Sequence, residues 1–128
     1  IALVKGNPAA TGETLVRVHE PFSALDFIRP AGNRSWHLPD ALARIQTAQS
    51  GVAVLLHRTE DGAALAARAL PNQGTPARRW DRKTYGVGAQ ILASLNVKKM
   101  RVLGTPSSMN GLTGFGLEIT GFEDAPEA

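Results

Sequence analysis

The sequence predicts one α/β (α+β) domain, a mixed sheet with flanking helices. Three observations carry that class. From residue 38 onward, helix-patterned segments alternate with short apolar runs. Two β-rich segments at the start are separated by turn-forming residues. The length, 128 residues with 43% hydrophobic and 20% charged side chains, suits a single domain that buries a core without disulfide or metal staples.

Residues 1–5 (IALVK) and 13–19 (ETLVRVH) read as strands. The intervening GNPAATG supplies Gly, Asn and Pro, so an antiparallel hairpin is expected. In the second strand Arg17 and His19 share a face by period-two alternation, and His19 reads as a half-exposed strand histidine rather than a metal ligand. Residues 29–37 are irregular. A helix follows, with Pro39 near its first turn, Asp40 complementing its dipole and Gly51 beyond its end; Leu38, Ala41, Leu42, Ile45 and Ala48 form its apolar stripe.

The run from Val52 to Leu56 reads as a buried central strand. His57 and Arg58 emerge at its carboxyl end, the side where open α/β sheets hold ligands. The alanine-rich segment from Ala63 to Leu70 is helix-prone until Pro71 stops it. A further helix is expected from Thr84, as its cap, to Leu95, with Ile91, Leu92 and Leu95 facing the core and Asn96 ending it. Residues 97–103 and 116–122 read as strands around a loop at 104–110. The domain is expected to span 1–122, and the acidic tail 123–128 to fray.

Composition excludes several function classes. With no cysteine there is no disulfide framework, no cysteine nucleophile and no zinc site built on thiolates. No apolar stretch approaches the roughly 18 residues that cross a bilayer, and no secretory leader pattern is visible, so a cytoplasmic protein without membrane contact is expected. No serine lies in a G-x-S-x-G elbow.

The net charge of +3 is mild, but seven of the 14 cations fall in two clusters, Arg78, Arg79, Arg82 and Lys83 around Asp81, and Lys98, Lys99 and Arg101. Arginines there suit a phosphate-bearing ligand, while the same residues read somewhat better as a solvated face. Nucleic acid is disfavoured by seven aromatics and the lack of a docking motif. His57, Arg58, Glu60 and Asp61 set acid, base and cation side by side after the central strand, a pattern compatible with acid–base or phosphate chemistry and equally with a charged loop. Gly86 and Gly88 in YGVGAQ lack the preceding strand and third glycine of a dinucleotide fingerprint, and read better as close helix packing.

Ordered strings then point to a family: LVRVH (15–19), LPDALARI (38–45), GVAVLLHR-x-E (51–60), D-x-K-x-YGVGAQIL (81–92), LNVKKMRVL (95–103) and GLTGFGLEI (111–119). Through these the chain resembles GTP cyclohydrolase II, the enzyme that opens the guanine ring of GTP at the start of riboflavin synthesis. The resemblance covers most of the chain and implies a GTP cyclohydrolase II-like fold.

It also exposes departures. The family draws three zinc thiolates from a cysteine after the V-H strand and from G-D-V-F-G-S-x-R-C-D-C-G. Here Asp26-Phe27 keeps a trace of that motif, and the cysteine positions fall at about Phe22, Gly32 and Arg34. The resemblance therefore implies no metal and no zinc cofactor, and without metal-activated water the ordinary ring opening fails. Arg58-Thr59-Glu60-Asp61-Gly62-Ala63-Ala64-Leu65 stands where the family has R-Q-E-G-R-G-I-G-L, without the second arginine. The family's D-x-R-D-Y-G, with its aspartate and its arginine toward the α-phosphate, corresponds to Asp81-Arg82-Lys83-Thr84-Tyr85-Gly86. Lys83 keeps the charge there but not the planar fork. The loop from Pro71 to Trp80 omits D-T-x-x-A-N, and Gly104-Thr105-Pro106-Ser107-Ser108-Met109 replaces T-N-N-P-x-K.

The resemblance thus implies a degenerate cyclohydrolase II-like C-terminal domain, cut from a bifunctional protein that also carries a 3,4-dihydroxy-2-butanone 4-phosphate synthase domain. A homodimer, and GTP or a phosphorylated metabolite as ligand, are carried over with it. Asp81 and Lys83 are the vestigial catalytic candidates, and Arg58, Glu60, Arg82 and Tyr85 the nucleotide- or phosphate-binding ones. The expected role is regulatory, ligand-binding or partner-docking. Its rivals are a zinc-independent enzyme acting on a nucleotide or sugar phosphate, and nucleic-acid binding through the basic clusters.

Overall fold

A computed structural model describes residues 1–10, 12–19, 36–56, 61–63, 66, 82–104 and 115–126, with backbone alone at 82–85. The elements in chain order are β1 (Ala2–Lys5), β2 (Thr14–His19), α1 (Leu38–Gln46), β3 (Gly51–Leu55), α2 (Arg82–Ser94), β4 (Lys99–Leu103) and β5 (Glu118–Glu123). The strands form one mixed five-stranded sheet in the order β1-β3-β2-β4-β5. β1 is antiparallel to β3; the pairings of β2 with β3, β2 with β4 and β4 with β5 are parallel. This is the α/β class read from the alternating pattern.

The expected hairpin between the first two strands does not form. β1 pairs with β3, Ala2 opposite Val54 and Lys5 opposite Gly51, and β2 lies on the far side of β3. The turn chemistry is real but turns the chain around the amino end of β3. Gly6 has a φ of +71°, and a Cβ there would collide with the Gln49 carbonyl just before β3. Close by, Thr14 Oγ1 and Ser50 Oγ lie 3.2 Å apart, tying the starts of β2 and β3.

Side-chain alternation divides the core between two faces. Val16 and Val18 of β2 join Val52, Val54, Ala89, Leu92, Met100 and Val102 on the α2 side. Leu15 joins Trp36, Ala41, Ile45, Ala53 and Leu103 on the α1 side. Each Val or Leu so buried is worth about 1.5–3 kcal/mol over exposure, and among the described residues the α2 face is the richer in large aliphatic side chains. A strand central to a parallel sheet is covered on both faces. That coverage corrects the reading of His19, which is only 7% exposed rather than half-exposed.

Both helices use the faces their sequences predict. Leu38, Ala41 and Ile45 of α1 are buried, and Leu42 and Ala48 pack at the margin of the α1-side core. The helix ends at Gln46, and Gly51 opens β3 instead of following the helix directly. α2 begins two residues before Thr84, which therefore lies inside the first turn and is not its cap. Its carboxyl end follows expectation: Asn96 has φ 61°, Val97 N–H donates to Leu92 O at 3.1 Å and Asn96 N–H to Ala93 O at 3.0 Å. That bond pair closes a helix on a left-handed residue. In the alanine-rich segment, the described residues 62, 63 and 66 are helical.

β5 runs to Glu123, so the tail expected from residue 123 begins inside a strand, and Ala125 packs on the α1-side core. Its pairing with β4 slips between Met100 and Arg101, which face Ile119 and Gly121. The slip passes over Thr120 and lets Ile119 and Phe122, three residues apart, both reach the α2-side core.

Glu123 also closes the sheet electrostatically. Arg44 Nε and Nη2 donate to its two carboxylate oxygens at 2.6 and 3.0 Å, and Arg101 Nε lies 3.5 Å away. Its backbone carbonyl accepts from Trp36 Nε1 at 2.8 Å and from Gly104 N–H at 3.0 Å. The Arg44 hydrogen bond, ahead of the charges of Arg44 and Arg101, holds the Glu123 carboxyl below the usual carboxylate range, against an opposing burial effect. A carboxyl whose folded pKa is depressed stabilises above its unfolded value, about pH 4.3, and that contribution is lost as pH falls through the folded value. Glu123→Gln is therefore expected to cost under about 1 kcal/mol at neutral pH, the pair being partly solvated. In urea unfolding the gap between variant and parent should shrink as pH is lowered below about 4.3. A gap constant down to pH 3 would contradict the assignment.

Candidate functional site

The topology picks out one edge of the sheet. From β2 the chain passes through α1 to β3 on one side, then crosses back through α2 to β4 on the other side of β2. The connections leave in opposite directions between β2 and β4, and open α/β sheets bind ligands at the carboxyl end of such a switch point. The described residues at that end are His19, Leu55, Leu56, Leu103 and Gly104.

Arg17 organises this edge from beneath. Alternation points it to the α1 face of β2, where Nη1 donates to the Leu103 carbonyl at 3.0 Å and Nη2 to the Trp36 carbonyl at 3.2 Å. Nη2 also lies 3.5 Å from His19 Nδ1. A guanidinium has no acceptor, so in this contact Nδ1 can only accept. One cation thus joins the ends of β2 and β4 to the residue that leads into α1. Period-two alternation puts Arg17 and His19 on one face, but no local signal shows that Trp36 and α1 cover that face and make Arg17 an internal clamp.

α2 brings its first turn to the same edge. Its carboxyl end feeds β4 at the opposite, amino edge, and 13 residues at 1.5 Å per residue carry it about 20 Å back across the sheet. Gly88, one to two turns in, packs where a Cβ would lie 3.5 Å from Val18 Cγ1 and 4.0 Å from Leu56 Cδ1, near the carboxyl ends of β2 and β3. These are ordinary van der Waals distances that a Cβ could make, so the close packing read from YGVGAQ is not required at Gly88. Gly86 has nothing within 4 Å of such a Cβ.

Arg82, Lys83 and Tyr85 lie in the first turn of α2, where the backbone is described and the side chains are not. Asp81, Arg58 and Glu60 lie outside the described residues, as do Phe22, Asp26, Phe27, Gly32 and Arg34. The basic clusters are separated. Lys98 and Lys99 are exposed at the amino edge, Arg101 leans on Glu123, and Arg82 and Lys83 start α2 at the carboxyl edge. Among the described residues these cations form no continuous stripe of the kind a nucleic-acid backbone requires; Arg78 and Arg79 lie outside the described residues.

The donor chemistry does not fit a zinc centre of the thiolate type. The whole chain has no cysteine and three histidines, and among the described residues no three His, Asp or Glu side chains gather as metal ligands. Among those residues, too, no helix is long and apolar enough to cross a membrane.

Comparison with known proteins gives the site its context. The sequence profile of GTP cyclohydrolase II matches residues 1–124. A 3,4-dihydroxy-2-butanone 4-phosphate synthase of Neisseria meningitidis serogroup A is 66% identical over 125 residues, covering 98% of this chain and 34% of the relative. A protein of the same name from Photobacterium phosphoreum is 38% identical over 123 residues, 92% of this chain and 33% of the relative. Riboflavin biosynthesis protein RibBA of Chlorobium phaeovibrioides is 34% identical over 136 aligned positions, 93% of this chain and 32% of the relative. The chain spans about a third of the length of the curated relatives it matches.

Proposed function

The chain belongs to the GTP cyclohydrolase II family, and we propose that it is a degenerate member associated with riboflavin biosynthesis. In this reading it is the C-terminal, cyclohydrolase II-like part of a cytoplasmic, homodimeric chain whose 3,4-dihydroxy-2-butanone 4-phosphate synthase part lies on the same polypeptide. It does not open the guanine ring by zinc chemistry; it serves as a ligand-binding, regulatory or partner-docking domain.

The observation that carries this reading is the complete absence of cysteine. Ring opening in the family's manner needs a nucleophilic water at neutral pH, and zinc supplies it by lowering the pKa of a bound water toward neutrality. Positions near Phe22, Gly32 and Arg34 offer no thiolate in place of the family's ligands. The names of the relatives support the same reading: those from Neisseria and Photobacterium are named for the synthase and not for the cyclohydrolase.

The test is zinc analysis and GTP calorimetry on one preparation of full-length protein. The expected result is zinc far below one per chain and no change in GTP affinity on adding zinc. One tightly held zinc per chain would overturn the reading. GTP binding without zinc would assign the ligand-binding role, and no binding the docking role.

The start of α2 at the carboxyl edge supports a second reading, a zinc-independent site for a phosphorylated substrate. In it Asp81 and Lys83 would be the catalytic residues, and Arg58, Glu60, Arg82 and Tyr85 would bind the nucleotide or phosphate. If Lys83→Ala and Arg58→Ala leave every nucleotide and sugar-phosphate affinity unchanged, this second reading fails.

A further inference from the structure

From the exposed face of β1 we infer a strand-docking edge, occupied by an extended segment of the same polypeptide from outside these 128 residues. β1 is the outer strand of the sheet among the described residues. Ile1 and Leu55 exchange both backbone hydrogen bonds, at 3.1 and 2.7 Å. By antiparallel alternation Leu3 and Lys5 also turn their N–H and C=O groups to β3, and those of Ala2 and Val4 point outward.

The side chains of this edge are apolar and exposed, Leu3 at 43% and Val4 at 46%. Proteins usually blunt such an edge with lysine, proline or a bulge. The single lysine of β1 does not guard it, because Lys5 Nζ donates to the Gln46 carbonyl at the end of α1. Between β1 and α1 runs a groove of about 410 Å³, lined by Leu3, Val4, Leu42 and Ile45 among others. An added strand would pair with Ala2 and Val4 and lay every second side chain into this groove. The matching chemistry is an extended run with apolar residues at alternate positions.

The length of the relatives favours an occupant on the same chain. The 125 matched residues make 34% of the Neisseria protein, so about two thirds of such a chain lies outside the match. A tethered segment acts at an effective concentration in the millimolar range, which outcompetes a diffusing partner for so small an edge. The inference rests on the longer architecture of the family and not on whether GTP binds.

The test is residue-resolved amide exchange on the full-length protein at two concentrations at least tenfold apart. Ala2 and Val4 amides are expected to exchange at least about 100-fold more slowly than unpaired amides, equally at both concentrations. Val4→Pro removes an outward N–H that β3 does not use, so it should leave Ala53 protected and abolish protection at Ala2. Near-intrinsic exchange at Ala2 and Val4 in the parent would overturn the proposal. So would protection that rises with concentration, which would make the occupant a second copy, or protection of Ala2 that survives Val4→Pro.

Discussion

Truncating Leu92 to alanine is expected to lower folding stability by about 2–5 kcal/mol, the largest loss from any single change considered. Leu92 is fully buried and forms the α2-side core with Val16, Val18, Val52, Val54 and Met100. Alanine is the better helix former, so intrinsic propensity offsets only a small part. The loss is a cavity between α2 and the sheet. Urea unfolding of the domain, followed through the buried Trp36, measures it. Leu42→Ala on the half-buried margin of α1 should cost clearly less. A Leu92→Ala loss under about 1 kcal/mol would mean that α2 is not seated as described. Its first turn would then not be fixed at the carboxyl edge.

The second large effect concerns Arg17. Arg17→Met keeps the aliphatic stem and removes the guanidinium, so the Leu103 and Trp36 carbonyls and His19 Nδ1 all lose this donor. Hydrogen bonds from a charged donor are worth about 1.5–3 kcal/mol each, and they are not additive within one group. A total loss of about 2–4 kcal/mol follows. Arg17→Lys should recover only part of it, because an ammonium cannot reach separate carbonyls with a planar fork. Stability within about 0.5 kcal/mol of the parent for Arg17→Met would show that the clamp contributes nothing. Amide exchange gives a second check: protection at Gly104 should fall in the methionine variant.

Local signals made much of this fold legible. The apolar stripe of α1, the continuous run of β3 and the Asn96 stop of α2 all depend on residues close in sequence, and the structure bears them out. What failed depends on pairing at a distance. The turn residues after Lys5 announce a reversal but not which strand receives β1, and it is β3, some 50 residues on. His19 was misread because alternation alone cannot tell that a second layer covers the polar-looking face of β2. The i, i+3 spacing of Ile119 and Phe122 suits neither face of a regular strand, and only the bulge against β4 explains it. Of the candidate site, Tyr85 falls on the helix that the pattern predicts, Arg82 and Lys83 fall in the two residues by which that helix starts earlier, and Asp81, Arg58 and Glu60 lie outside the described residues. The clamp built on Arg17 could not be read from the sequence, since its partners Trp36 and Leu103 are 19 and 86 residues away.

The central claim is that a cyclohydrolase II fold persists here without zinc-dependent ring opening. Formate release from GTP tests it most directly, measured on full-length protein purified and assayed with zinc supplied. The account predicts no formate above the enzyme-free background, with or without zinc. Zinc-dependent formate release that persists through purification to homogeneity would contradict it.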